Sequence, residues 1–490
     1  MKFYDKFIKI ENEYKLFDRK YNGLNYWEFV RSYVHPVIWE KALDLLPLFP
    51  PYKRNIRTYK INLKQLKKYF IPKKTNKLDI LFLSQPRRFY QNGVFENPYV
   101  DPMADILSQK YEYLILEEPT WCCYVPTSTP HLFPVKSKNI IFTDLYEMKY
   151  YIRKFLFKYT HRNEYKKILE EYEVIKNIFV EELKEYNLAN MDFKTPFIDC
   201  LIRIKLTYQE TKKIIDKLNP KMLIVHYFPT TFKMMIINIC NERGIKTVEL
   251  QHGTVSELDP IHSKFKDNKV LKSTPKYFFG FGEKNVETTN FHTLIDNIKY
   301  VGYPFLENKL ISEINKPDVM KDDKKYILII SQSLIGDKIS EFASRLAEKL
   351  KNNSEYMIIF KYHPNELKRE FSCLNKKNII QIKDLKNDVY SFQKYSTLQI
   401  GVSSTSLYEG IVFQLPTIIL KNIKTSIEAI NILDYISTGV YIEDDFSKIV
   451  SIIINKEYKT PLKKDVSRLW ISNSENKVLE EVGKMLNEND

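Results

Sequence analysis

The sequence predicts an α/β protein of two tandem domains, each built on its own parallel sheet. Three observations carry this. Continuous apolar runs such as LDILFLS (78–84) and MLIVH (222–226) recur with helical patterning between them, as strands covered on both faces do. The series pauses once, at ENKLISEINKPDVMKDDKK (307–325), which is short of large apolar residues, and then restarts. At 490 residues the chain is also too long for one ordinary core.

Residues 1–76 read as an amphipathic helical extension, a candidate lid or membrane-facing patch, with a basic stretch KINLKQLKKYFIPKK. The first domain spans 77–308. It opens with strand 78–84, followed by a Pro-, Asn- and Gly-rich loop bearing Arg87, Arg88, Glu96 and Asp101. A long loop at the C-terminal end of a parallel strand is where doubly wound folds place ligands. Further strands are expected at 113–116, 139–143, 222–226, 247–250, 276–281 and 298–302, with a charged helical insertion near 162–187. The second domain spans 322–490. It has strands at 326–331, 356–362, 378–382, 397–402 and 417–420, and a final helix near 474–487 placed to cross back to the first domain.

An apolar fraction of 44% and a charged fraction of 28% are those of a globular protein. Lys plus Arg exceed Asp plus Glu by 76 − 61 = 15, which suits phosphorylated small molecules or an anionic membrane. The basic residues are scattered, with no Arg-rich tract, so nucleic acid is disfavoured. No apolar run reaches the length of a membrane span, and the first residues lack a signal-peptide core. A cytoplasmic protein is expected, held peripherally on the membrane face by charge. The five cysteines form neither a CxxC pair nor a disulfide framework. HExxH and DxD are missing as well, so a metal-independent site is expected, and GxSxG is absent.

Four constellations sit at expected strand exits. GVSSTSLYEGIVFQLPTIIL (401–420) reads as strand, hydroxyl-rich turn, helix and strand. Ser403, Ser404 and Thr405 then meet a helix N-terminus suited to phosphate, and Glu409 is within reach of ribose hydroxyls. Ser406 to Glu409 also reads as a plain capping box. In KYHP (361–364), Pro364 ends a strand and holds His363 at its rim, with Lys361 nearby to meet a phosphate. In QHGT (251–254), Gly253 permits a sharp turn that presents His252 as a base. Finally SQSLIG (331–336) places Ser331 and Ser333 in a small-residue loop before a helix.

KYHP and SSTSLYEG, about forty residues apart in a second α/β domain, resemble bacterial GT-B glycosyltransferases with an HP motif and a Ser-Ser/Thr motif. These are the sialyl- and polysialyltransferases, capsule Kdo transferases and CDP-glycerol glycerophosphotransferases. The resemblance covers roughly residues 245–420. It implies a GT-B fold, with two Rossmann-like domains facing a central cleft, and an inverting, metal-independent transfer in capsule or lipopolysaccharide synthesis. The donor is a nucleotide-activated sugar, CMP-linked by preference, and the acceptor a glycan or lipid-linked glycan. His363, Ser403 and Ser404 then fall on the nucleotide-binding motifs, and Glu409 on the ribose carboxylate. The acidic base motif of the polysialyltransferases is absent, since Glu117-Glu118 precedes Pro119. That leaves His252, Asp101 and Glu118 as alternative bases, His252 first. CDP-linked polyol-phosphate transfer, a UDP-sugar transferase or epimerase, and a non-catalytic glycan- or nucleotide-binding subunit are the alternatives.

Overall fold

The computed structural model describes residues 2–42, 63–71, 78–91, 93–119, 134–186, 188, 191–253, 255, 271–283, 297–332, 335–383, 388–421 and 436–487. The expected Ser333, and Thr254 of the QHGT turn, lie outside them.

In the first domain the strands are β1 (Ile80–Ser84), β2 (Tyr113–Glu117), β3 (Ile140–Phe142), β4 (Met222–His226), β5 (Lys246–Leu250), β6 (Tyr277–Gly280) and β7 (Ile298–Tyr300). They form one sheet in the order β7-β6-β5-β4-β1-β2-β3. Every pairing is parallel. The second sheet holds β8 (Lys325–Ile330), β9 (Tyr356–Lys361), β10 (Ile379–Ile382), β11 (Leu398–Gly401), β12 (Thr417–Leu420) and β13 (Val440–Glu443). Its order is β10-β9-β8-β11-β12-β13, again all parallel. Each sheet thus reverses direction once, between β1 and β4 in the first and between β8 and β11 in the second. A crevice opens above the C-terminal strand ends at such a point, because the neighbouring connections leave towards opposite faces. The two domains turn these ends towards each other in the GT-B arrangement.

Three features differ from expectation. In the N-terminal segment the described helices Lys2–Glu13 and Tyr26–Ala42 pack into the core of the first domain rather than lying over it as a lid. Phe7, Trp27, Val34 and Ile38 are fully buried. Glu11 accepts from Trp27 Nε1 at 2.7 Å and from Arg31 Nε at 2.6 Å inside that layer. Secondly, the expected linker begins helical, since Pro304–Ile311 is a helix. Thirdly, the edge strand β13 was not expected.

The helix Ser474–Asn487 does return to the first domain. Val478, Val482 and Met485 join the core under its sheet, and Lys246 Nζ donates to Met485 O at 2.8 Å.

Candidate active site in the inter-domain crevice

The second-domain half of the site is built around one buried carboxylate. Glu366 lies on the short helical turn Pro364–Glu366 that follows His363, and it has no exposed surface. It accepts from Ser331 Oγ at 2.6 Å and from the His363 backbone N–H at 3.2 Å. Gly336 makes room for it, since a Cβ there would lie 1.8 Å from Glu366 Oε1. His363 Nδ1 accepts from the Asn365 N–H at 3.2 Å, which assigns the ring proton to Nε2. Burial, helped by the nearby Arg87 guanidinium, pushes the imidazole down to about 4. It is therefore a neutral Nε2–H donor at physiological pH.

Ser403 leaves β11 on the far side of β8 from His363. Between them stands Gln332, whose amide accepts from the Ser403 N–H at 2.8 Å and donates to Ser403 Oγ at 3.0 Å. That hydroxyl keeps its own hydrogen for a ligand. Ser404 caps the helix Thr405–Ile411, accepting from the Ser406 N–H at 3.3 Å. The expected Ser406–Glu409 box does not form.

The first domain meets these groups with residues from its own reversal point. Arg87, exposed on the loop behind β1, sits over the Tyr227 ring at 5.9 Å. It also lies beside the Tyr99 hydroxyl and close enough to bias both His226 and His363. Tyr227 follows β4 with φ 55°, a left-handed conformation that costs a bulky residue energy and marks functional turns. The buried Lys233 ammonium holds this turn by donating to the carbonyls of His226 and Tyr227 at 2.8 and 2.9 Å. His252 stands with its ring 4.8 Å from Tyr227 and 6.0 Å from His226. Its turn is pinned by Gln251, which accepts from the Phe281 N–H at 2.6 Å and donates to Gly253 O at 2.9 Å. A Cβ on Gly253 would sit 3.3 Å from Thr405 Oγ1, so this turn touches the second-domain helix start directly.

His252, His363, Ser403, Ser404 and Thr405 are therefore brought together. Other expected site residues are not. Asp101 is 5% exposed and both its oxygens are engaged, by Ser137 Oγ at 2.6 Å and the Asn97 N–H at 2.7 Å. Asn97 in turn donates to Gln85 O, so this carboxylate supports the loop of Arg87. Glu118 is buried and accepts from Thr230 Oγ1 at 2.6 Å, with Lys233 as its counter-charge. Neither is presented to an acceptor hydroxyl. The Ser331 hydroxyl is committed to Glu366, and Lys361 lies over the Phe392 ring at 5.9 Å. Pro364 is exposed and shapes the turn. Glu409 is 6% exposed under the Tyr390 hydroxyl, which donates to it at 3.0 Å, and burial pushes it up to about 7.

Arg87, Gln332, Tyr99 and His226 were not assigned by the sequence. Arg87 lies on a loop flagged for ligands, which was the available signal. Among the described residues no group of three or more His, Cys, Asp or Glu is placed to hold a metal, and no helix is long and apolar enough to cross a membrane.

Neither a family model nor a curated protein matches the sequence. Solved structures do share its architecture. The UDP-GlcNAc 2-epimerase of Methanocaldococcus jannaschii, in complex with UDP-GlcNAc and UDP, is 15% identical over 84% of this chain and 100% of its own, with a TM-score of 0.46. S. aureus MnaA with UDP is 12% identical over 84% and 97%, at 0.49. The wall teichoic acid polymerase TagF is 11% identical over 84% and 89%, at 0.45. Likenesses of this size do not speak to chemistry.

Proposed function

We propose that this protein is an enzyme acting on a nucleotide-activated sugar or polyol held across the inter-domain crevice. The observation that carries the reading is the meeting of the two sets of strand exits, where the Gly253 turn abuts Thr405 of the second-domain helix start and the Arg87 charge reaches His363. A cation and a neutral imidazole donor facing one space suit an anion between them. His363 and Ser403 leave strands two ladder spacings apart, about 10 Å, with Gln332 between. Donors spread over that span match a diphosphate better than one phosphate. A UDP- or CDP-linked substrate is therefore favoured over the CMP-linked one the resemblance suggested first.

The favoured reaction is transfer to a hydroxyl of a surface glycan or lipid-linked acceptor. The acceptor oxygen bonds to the anomeric carbon (or, for a polyol phosphate, to phosphorus) as the bond to the donor's phosphate oxygen breaks. His252 takes the acceptor proton, and the electron pair leaves on the nucleotide. Arg87, His363 Nε2–H and Ser403 Oγ–H stabilise that departing charge in a site already oriented for it. Epimerisation of a UDP-sugar is the second reading, with His252 beside the Tyr227 turn as its candidate base.

Offering purified protein a pool of CMP-, CDP- and UDP-linked donors and identifying the released nucleotide by mass spectrometry tests the reading. Release of UDP or CDP, or of CMP when a CDP-linked polyol is the donor offered alone, supports it, and a changed sugar on intact UDP points to the epimerase. Turnover of CMP-linked donors alone defeats the diphosphate assignment.

A further inference from the structure

The helix Asp144–Thr160 has two apolar faces, and the fold uses only one. Tyr150 and Phe157 are buried against the helical layer of the first domain, and the helix is anchored there by Glu147, which accepts a bidentate pair from Arg203 at 2.6 and 3.0 Å. On the opposite side, roughly 180° round a helical wheel, Ile152, Phe155, Leu156 and Tyr159 recur at the spacing of an amphipathic stripe. Their exposures are 53%, 70%, 45% and 67%. Single exposed apolar residues need no account, whereas four in a row at helical spacing mark an interaction surface.

The charge around the stripe identifies its partner. Of the bases along residues 151–167, Arg153, Lys154 and Lys166 are paired with Glu210, Asp199 and Glu170, whereas Lys158, Arg162 and Lys167 are exposed. Lys158 Nζ lies 4.8 Å over the Tyr159 ring, and Arg162 and Lys167 follow within the next turns of chain, where the helix Arg162–Glu182 begins. A second copy docking on this face would set these positive charges against their own kind.

We propose that this helix docks on an anionic lipid surface, with Phe155 and Tyr159 entering the headgroup boundary and the lysines and arginines meeting acidic headgroups. An apolar stripe bordered by basic residues binds bilayers in this way, and Tyr favours that depth. The juxtaposed basic residues add attraction that salt screens. The proposal is independent of the nucleotide reading above.

The test is co-sedimentation of the full chain with vesicles of phosphatidylcholine alone or with added phosphatidylglycerol. The expected result is pelleting with the anionic vesicles, weakened by salt. In the double variant Phe155→Ser/Tyr159→Ser that binding should fall on the order of tenfold or more. Both positions are exposed, so thermal unfolding of the variant should match the parent, and a matching melt makes the loss readable. The proposal is overturned if the parent stays in the supernatant with anionic vesicles, or if the double variant pellets as well as the parent. It is overturned too if sedimentation velocity without lipid shows a dimer that the double variant dissolves, since the stripe then serves a second copy.

Discussion

Arg87, on the loop behind the first strand of one domain, helps depress the imidazole of His363, which ends a strand of the other. Burial is the larger cause and the nearby positive charge adds to it, so the histidine is held neutral and the arginine supplies the net charge. Replacing Arg87 with Gln should weaken UDP or CDP binding about ten- to a hundredfold, the loss expected of a charge-assisted contact. Titration calorimetry measures that loss. In the same variant the His363 imidazole should titrate higher than in the parent, which its ring proton resonances report. An unchanged affinity would remove Arg87 from the site.

Gly336 tests whether His363 is held from behind. A Cβ at 336 would meet Glu366 Oε1 at 1.8 Å and Phe371 Cζ at 3.1 Å. Glu366 cannot yield without releasing Ser331 Oγ and the His363 N–H. Gly336→Ala should therefore cost about 1–3 kcal/mol of stability, as overpacking usually does. It should also reduce turnover, although residue 336 contributes no side chain to the crevice. Urea unfolding and a nucleotide-release assay check the two effects.

Much of this arrangement was legible beforehand, for a physical reason. Strands covered on both faces are continuous apolar runs, and Met222–His226 and Thr417–Leu420 have the predicted bounds. The edge strand Val440–Glu443 escaped because only Glu443 of its four residues is buried, so VYIE carries no such run. His363, Ser403 and His252 were readable because strand exits are marked by Pro364, the serine turn and Gly253. Asp101 and Glu118 misled because their residue types suit base chemistry, whereas burial and internal hydrogen bonds are properties of the fold. Gln332 lies inside the SQSLIG loop, but that pattern pointed to its serines rather than to the amide between them. Its role is set by the adjacency of β8 and β11, which are about seventy residues apart in the chain.

Glu409 gives a pH dependence of known sign. Burial raises its folded value to about 7 from an ordinary 4.5, so the folded chain keeps a proton that the unfolded chain releases. Its contribution is complete below about pH 4.5 and is lost as pH rises through about 7. His363 acts in the opposite direction, its contribution present above about 6.5 and lost as pH falls through about 4. Glu409→Gln isolates the carboxylate. The amide can still accept from Tyr390, and the variant should gain on the parent by roughly 3 kcal/mol between about pH 5 and pH 8. Urea midpoints across that range measure the gain, and a constant difference would mean that Glu409 is ionised throughout.

Lys233 separates the strained turn at Tyr227 from simple packing. Its ammonium is wholly buried, donates to the carbonyls of His226 and Tyr227, and faces Glu118. Lys233→Met fills similar volume but leaves the Glu118 carboxylate without its counter-charge, which should cost about 3–5 kcal/mol. Adding Glu118→Gln removes that orphaned charge and should recover most of the stability. Activity should stay low in the double variant, because nothing then donates to the two carbonyls that keep Tyr227 at φ 55° beside Arg87 and His252. If stability and turnover return together, the lysine serves only to neutralise Glu118, and the Tyr227 turn holds its shape without it.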